Sequence, residues 1–180
     1  SEEKICIMDI GGASTEIIEV IPNPTEIIND FSMPFGAVRC TNWNEEGITE
    51  EKLNKIQFDF KGKLDQIKTK KLYCVAGTMT SVANMYLGHT EFQEKHIHGL
   101  KICTKDIFKM MDMYKNYKEK EFLEKFPFLE KRAKTIIGGL KVATTVFNWL
   151  NIEEVEISTY GLRYGTLEQG FIPDEYSIRR

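Results

Sequence analysis

The segment Asp9-Ile10-Gly11-Gly12-Ala13-Ser14-Thr15-Glu16 constrains this chain more than any other. Lys4–Asp9 is a short apolar run that ends in an acid and reads as a buried strand. Gly11-Gly12 is a turn, with glycines that allow positive φ and close approach of an anion to the backbone. Thr15–Ile21 is rich in β-branched residues and reads as the returning strand. Ser14 and Glu16 are two apart on that strand and share a face. With Asp9 on the same side, two carboxylates flank a nest of N–H donors, a pattern suited to a phosphate and a hydrated divalent cation together. A plain Gly-Gly hairpin with solvated acids at its ends fits the same string.

Further along, Pro22-Asn23-Pro24 punctuates, and Thr25–Phe35 reads as a third strand broken by Pro34. After Gly47, Thr49 reads as the cap of a helix carrying Leu53, Ile56, Phe60, Leu64 and Ile67. Lys71–Ala76 is a strand. Gly77-Thr78 leads into a helix of Met79, Val82, Ala83 and Tyr86, stopped by Gly88. Thr104–Tyr114 is an amphipathic helix, and a helix from Arg132 carries Ile136, Leu140, Ala143, Phe147 and Leu150. Glu154–Ser158 is a last strand and Leu162–Gln169 a last helix. Three hairpin-linked strands followed by alternating strands and helices predict an α/β fold. It is a mixed five-stranded sheet covered by helices, the order of a ribonuclease-H-like domain of the actin and sugar-kinase superfamily.

Residues 1–180 are of a length for one such domain. A net charge of -3 argues against a DNA partner. No run approaches the roughly 18 apolar residues of a membrane span, and no signal peptide is visible. Cys6, Cys40, Cys74 and Cys103 lie far apart and read as reduced, mostly buried thiols, which predicts a cytoplasmic protein.

Other segments carry weaker signals. The strand-glycine-helix junction at Gly77 and Thr78 is a ready anion site, or an ordinary capped helix. Gly138-Gly139 inside a helix points to close backbone packing. Arg39, Arg132 and Arg163 are candidate anion contacts. His96 and His98 could share a side of a strand and invite a metal or general-acid role, although a surface role suits them too. The charge run Lys118–Lys125 reads as a solvated face.

Taken together, Asp9–Glu16, Met33–Arg39, Ala76-Gly77-Thr78, Ile97-His98-Gly99, Arg132…Gly138-Gly139 and Ser158–Gly165 resemble successive motifs of the exopolyphosphatase / guanosine pentaphosphate phosphohydrolase (Ppx/GppA) family. The resemblance covers essentially the whole chain and is to the second of the family's two ribonuclease-H-like domains. It implies that this is a fragment of a two-domain protein, inactive by itself, with the catalytic glutamate in a missing N-terminal domain. It implies Mg²⁺ held by Asp9 and Glu16, and a phosphate cradled by Gly11, Gly12, Ala13, Ser14 and Thr15 with Gly77 and Thr78. The third glycine usual in the first loop is Ala13 here. Thr159 and Arg163-Tyr164-Gly165 stand where the family often has an acid and Arg-Glu-Gly. The implied reaction is hydrolysis of terminal phosphate from polyphosphate or guanosine pentaphosphate, with a homodimer compatible with the full-length protein. Alternatives are a non-catalytic polyphosphate or alarmone-binding module and a superfamily kinase or ATPase.

Overall fold

In a computed structural model of the chain, residues 3–161 are the described part. The opening hairpin forms as the alternation dictates. β1 (Ile5–Ile10) runs antiparallel to β2 (Thr15–Pro22), and β2 antiparallel to β3 (Thr25–Met33). β3 stops before Pro34, which has no N–H to donate to a ladder. β4 (Leu72–Val75) then lies parallel to β1 on its other side. β6 (Glu154–Ile157) is parallel to β4, and β5 (Lys101–Cys103) runs antiparallel to β6 at the edge. The order is β3-β2-β1-β4-β6-β5. This is the ribonuclease-H-like arrangement with one strand added. The expected five strands are therefore six, because a three-residue strand is too short for a period-2 pattern to register.

Period 2 divides the sheet into two faces. Cys6, Met8 and Ile10 of β1 are fully buried or nearly so, as are Ile17, Leu72, Cys74, Val155 and Ile157 on neighbouring strands. Ile5, Ile7 and Asp9 alternate with them and are only half-buried. One carboxylate enters the covered side. Glu19 is 1% exposed and accepts the Asn29 amide at 2.8 Å, with the N–H groups of Lys68 and Thr69 at 3.4 Å. Such partners are what a buried carboxylate requires.

Two helices that matter for the site flank the strand ends. α1 (Ala37–Glu45) follows β3 directly, and α2 (Thr49–Leu64) follows after Gly47. The expected cap at Thr49 is displaced by one residue: Ile48 is the cap position, Thr49 is the first helical residue, and its buried hydroxyl has no partner. α3 (Ala76–Tyr86) springs from β4, with α4 (Glu94–Ile97) a single turn beyond it. α5 (Thr104–Tyr114) and α6 (Glu119–Lys125) come next. The solvated charge run is only partly so: α6 inserts Phe122, 1% exposed, between its lysines and glutamates. A 3₁₀ segment (Pro127–Arg132) precedes α7 (Ile136–Leu150), which therefore begins four residues later than Arg132 suggests.

α7 is the apolar centre of the helical layer and packs on α1, α3 and α5. Its two glycines have the packing role expected of them. A Cβ on Gly138 would enter the Ala37 carbonyl and the Thr41 hydroxyl, and one on Gly139 would enter the Thr78 methyl. Among the described residues no helix is long and apolar enough to cross a membrane. Leu162–Gln169, the expected last helix, lies outside the described residues.

Candidate functional site

β1 and β4 are parallel and end side by side, with Asp9 in register with Val75. Their carboxyl ends, where open α/β sheets hold ligands, bring the two loops of interest together. The Thr78 hydroxyl crosses between them and donates to the Ile10 carbonyl at 3.1 Å.

Asp9 and Glu16 are direct cross-strand partners in the β1–β2 ladder. Cross-strand partners share a face, so both carboxylates stand on the half-buried side of the sheet. Burial raises the Asp9 carboxyl above its ordinary value, and the negative charge of Glu16 raises it further. Glu16 is fixed by two hydroxyls that donate to its Oε1: Ser14 at 2.6 Å and Ser32, from β3, at 2.7 Å. Among the described residues no lysine or arginine forms an ion pair with either acid. The outcome is a pair of hard oxygen donors whose repulsion no ion pair relieves among the described residues. No third His, Cys, Asp or Glu joins them among the described residues. That donor set fits Mg²⁺, which keeps several waters and takes one or two carboxylates.

The turn between them is held from behind. Gly11 N–H donates to the Ser14 carbonyl at 3.0 Å. The Ala37 N–H donates to the Gly11 carbonyl at 2.9 Å, and those of Val38 and Arg39 to the Gly12 carbonyl at 2.9 and 3.1 Å. The start of α1 is thus capped by the turn's own carbonyls. In a trans peptide the N–H points opposite to the preceding C=O. With the Gly11 and Gly12 carbonyls aimed at α1, the N–H groups of Gly12 and Ala13 face the other way, at exposed positions. They are two adjacent donors beside two carboxylates.

The glycines serve a different purpose from the one their chemistry first suggests. Neither Gly11 nor Gly12 adopts a left-handed φ, and neither does Ala13, so alanine fits where the family has a third glycine. Closeness decides instead. A Cβ on Gly36 would lie 2.5 Å from the Gly11 oxygen and 2.7 and 2.8 Å from the Gly12 carbonyl. Gly12 itself admits the Val38 side chain.

The second loop does hold a left-handed residue, at Ala76 (φ 66°), between Val75 and helical Gly77. A left-handed residue followed by a right-handed one makes successive N–H groups converge on a concavity that suits an anion. For alanine this conformation costs roughly 1–2 kcal/mol. Ala76→Gly is therefore expected to raise stability by about 0.5–1 kcal/mol, less than the full strain because glycine gains chain entropy on unfolding. Urea unfolding checks it; a loss of stability would mean that the Ala76 methyl is packed rather than tolerated. Directly over Gly77 lies the Arg132 guanidinium, in the space a side chain at that position would take. It is the candidate arginine whose side chain the described structure brings to this second loop.

The other sequence candidates fall elsewhere. The Thr15 side chain points to the covered face, 0% exposed, with its hydroxyl donated to the Phe35 carbonyl at 2.7 Å. It tethers the turn and presents no side-chain donor to it. The Thr78 hydroxyl is likewise engaged on Ile10, leaving the loop's donors to the backbone. Arg39 donates to the Pro34 carbonyl at 2.7 Å. Arg163 lies outside the described residues. His96 and His98 do not share a side of a strand: His96 lies within α4 and meets His89, while His98 follows the end of α4 and stacks on Tyr160 with centroids 4.3 Å apart. Sequence reasoning missed Ser32, whose two-residue spacing from Pro34 carries no signal, and the whole of α1.

A cleft of about 890 Å³ lies on the helical side, lined by Cys40, Thr49, Tyr117, Lys134 and Lys141 among others. Neither acid and neither loop borders it. The paired carboxylates and the outward backbone donors lie instead at the strand ends, an open surface, and make that the candidate site.

Residues 1–170 match the Ppx/GppA phosphatase family. No curated protein matches the chain. Among solved structures, the Ppx/GppA enzyme of Aquifex aeolicus is similar at 24% identity and a TM-score of 0.75, over 94% of this chain and 57% of that one. A second structure of the Aquifex protein gives 23%, 0.76, 98% and 59%. An exopolyphosphatase from Cytophaga hutchinsonii gives 18%, 0.79, 96% and 59%. The chain thus spans less than two thirds of the length of the structures it matches. The strand order, the acid-flanked turn and the match over residues 1–170 lead to one assignment: this chain belongs to the Ppx/GppA phosphatase family.

Proposed function

We propose that the chain is the phosphate- and cation-holding domain of a phosphoanhydride hydrolase. It would act on the terminal phosphate of inorganic polyphosphate or guanosine pentaphosphate. The observation that carries this reading is the pairing of Asp9 with Glu16 beside the outward N–H groups of Gly12 and Ala13. One element suits a divalent cation and the other the anion it accompanies.

Asp9 and Glu16 would hold Mg²⁺, which when bound neutralises charge on a phosphoryl group. The residues of this chain do the rest by position. Ser14 and Ser32 keep Glu16 oriented by donating to one of its oxygens. The backbone N–H groups of Gly12 and Ala13 lie ready for the equatorial oxygens of the transferring phosphoryl, where donors stabilise developing charge. Arg132 and the Ala76–Gly77 backbone offer a second hold for the rest of the chain of phosphates. The base that activates the attacking water is proposed to come from a preceding domain.

A second reading is a domain that grips polyphosphate or alarmone without hydrolysing it, since among the described residues no third His, Cys, Asp or Glu joins Asp9 and Glu16 in a metal-holding group. The experiment is phosphate release by the complete protein with Mg²⁺, run beside calorimetry on the 180-residue chain. Release with polyphosphate or guanosine pentaphosphate supports the hydrolase. Saturable binding without release selects the binding module, and neither outcome ends the assignment to these ligands.

A further inference from the structure

A pair of histidines stands apart from the strand-end site. The His96 Nδ1 and the His89 Nε2 are 3.1 Å apart, with ring centroids at 5.1 Å. His96 is exposed and His89 half-buried, so both nitrogens are within reach of solvent. Their backbones are unusually well fixed for a surface loop. Gly88 (φ 72°) ends α3 in the left-handed conformation, and the His89 N–H returns to the Asn84 carbonyl at 3.2 Å. Asn84 itself is 0% exposed. Its side chain donates to the Glu91 carbonyl at 3.0 Å and accepts the Gln93 N–H at 3.1 Å. Ile97, also 0% exposed, anchors the turn that carries His96.

We propose that His89 and His96 are a two-nitrogen site for a borderline divalent transition metal of the Zn²⁺, Cu²⁺ or Ni²⁺ class. The separation matches one ion. At metal–nitrogen bonds of about 2.0–2.1 Å, two ligands of a tetrahedral centre lie ~3.3 Å apart and two cis ligands of a square or octahedral centre ~2.9 Å apart. Imidazole selects these metals, whereas Mg²⁺ and Ca²⁺ demand oxygen. In the metal-free pair a nitrogen–nitrogen contact this short needs one proton between the rings. The ion replaces that contact, the hydrogen moving to the other nitrogen of its own ring, and because the ion takes both facing lone pairs, protons compete with it and acidification weakens binding. With no third protein ligand among the described residues, water fills the remaining positions. The site is independent of the hydrolase reading.

The test is calorimetric titration of the untagged chain with ZnCl₂ and CuCl₂, in the presence of excess Mg²⁺ to occupy the acids. The expected result is one equivalent bound, weakened at least tenfold by His89→Ala or His96→Ala and unchanged by His98→Ala. The double variant should be no weaker than the tighter-affected single one, and circular dichroism should be unaltered because both side chains reach solvent. The Cu²⁺ form should show two imidazole nitrogens by electron paramagnetic resonance, lost in either variant. Binding that survives the double substitution, that Mg²⁺ displaces, or that is undetectable up to millimolar metal overturns the proposal.

Discussion

Asp9→Asn is expected to abolish Mg²⁺ binding by this chain and, in the complete protein, to lower phosphate release by about 10²–10³-fold, the scale of losing a group that stabilises charge in the transition state. The same substitution is expected to make the domain more stable at neutral pH. The sign follows from the titration. The folded-state value of Asp9 is raised, by burial first and by Glu16 second. A carboxyl so raised favours the fold while protonated, and that contribution is lost as pH rises through its folded value. Asparagine mimics the protonated state at every pH. The melting temperature should therefore rise by roughly 1–3 °C near neutrality. The difference should vanish in acid, where the wild-type carboxyl is protonated as well. Mg²⁺ should raise the melting temperature of the wild type and not of the variant. A melting temperature that falls on substitution would show Asp9 to be a structural partner and remove the cation site from the mechanism. On the same grounds the affinity of the wild type for Mg²⁺ should fall with acidification, beginning above the range of an ordinary aspartate.

Gly36→Ala is the second substitution with a large expected effect. Its methyl would meet backbone atoms of Gly11 and Gly12 at 2.5–2.8 Å, and backbone does not swing aside as a side chain does. A loss of about 2–4 kcal/mol is expected, which for a chain of this length lowers the melting temperature by roughly 5–15 °C. What survives should bind phosphate poorly, because relief of the clash separates the turn from α1. Gly62→Ala is the matched comparison. Gly62 lies within α2 with nothing near its Cβ position, so alanine there should stabilise by about 1 kcal/mol. Urea unfolding of the two variants reads both. Equal effects would mean that the contact between Gly36 and the turn is slack.

Much of this arrangement is legible in the sequence. The β1–β2 hairpin follows from alternation, and once it forms the register puts Asp9 opposite Glu16 with no further information. α3 and α7 declare themselves by apolar spacing. α1 does not, because it buries only Ala37 and Cys40 and has no side-chain cap. It is helical because the turn's carbonyls receive its first N–H groups, a long-range fact invisible in nine residues read alone. β5 is hidden by its length. The glycines are legible for only part of their role: their positions mark close approach of backbones, which depends on what packs against them. Thr15 and Thr78 looked like ligands because hydroxyls at a loop do, and burial assigns them to holding the loops together.

The bond pattern behind the turn has a consequence for motion. The carbonyls of Gly11 and Gly12 close the first turn of α1, α1 is locked to α7 through Gly138, and Thr78 ties in the second loop. Neither loop has a private way to open. The amides of Ala37, Val38 and Arg39 should exchange with deuterium only as slowly as those of the central strands, through opening of the whole unit. Adjustment to a ligand must then come from displacement of this unit as one body against whatever faces it, and not from a flap within it.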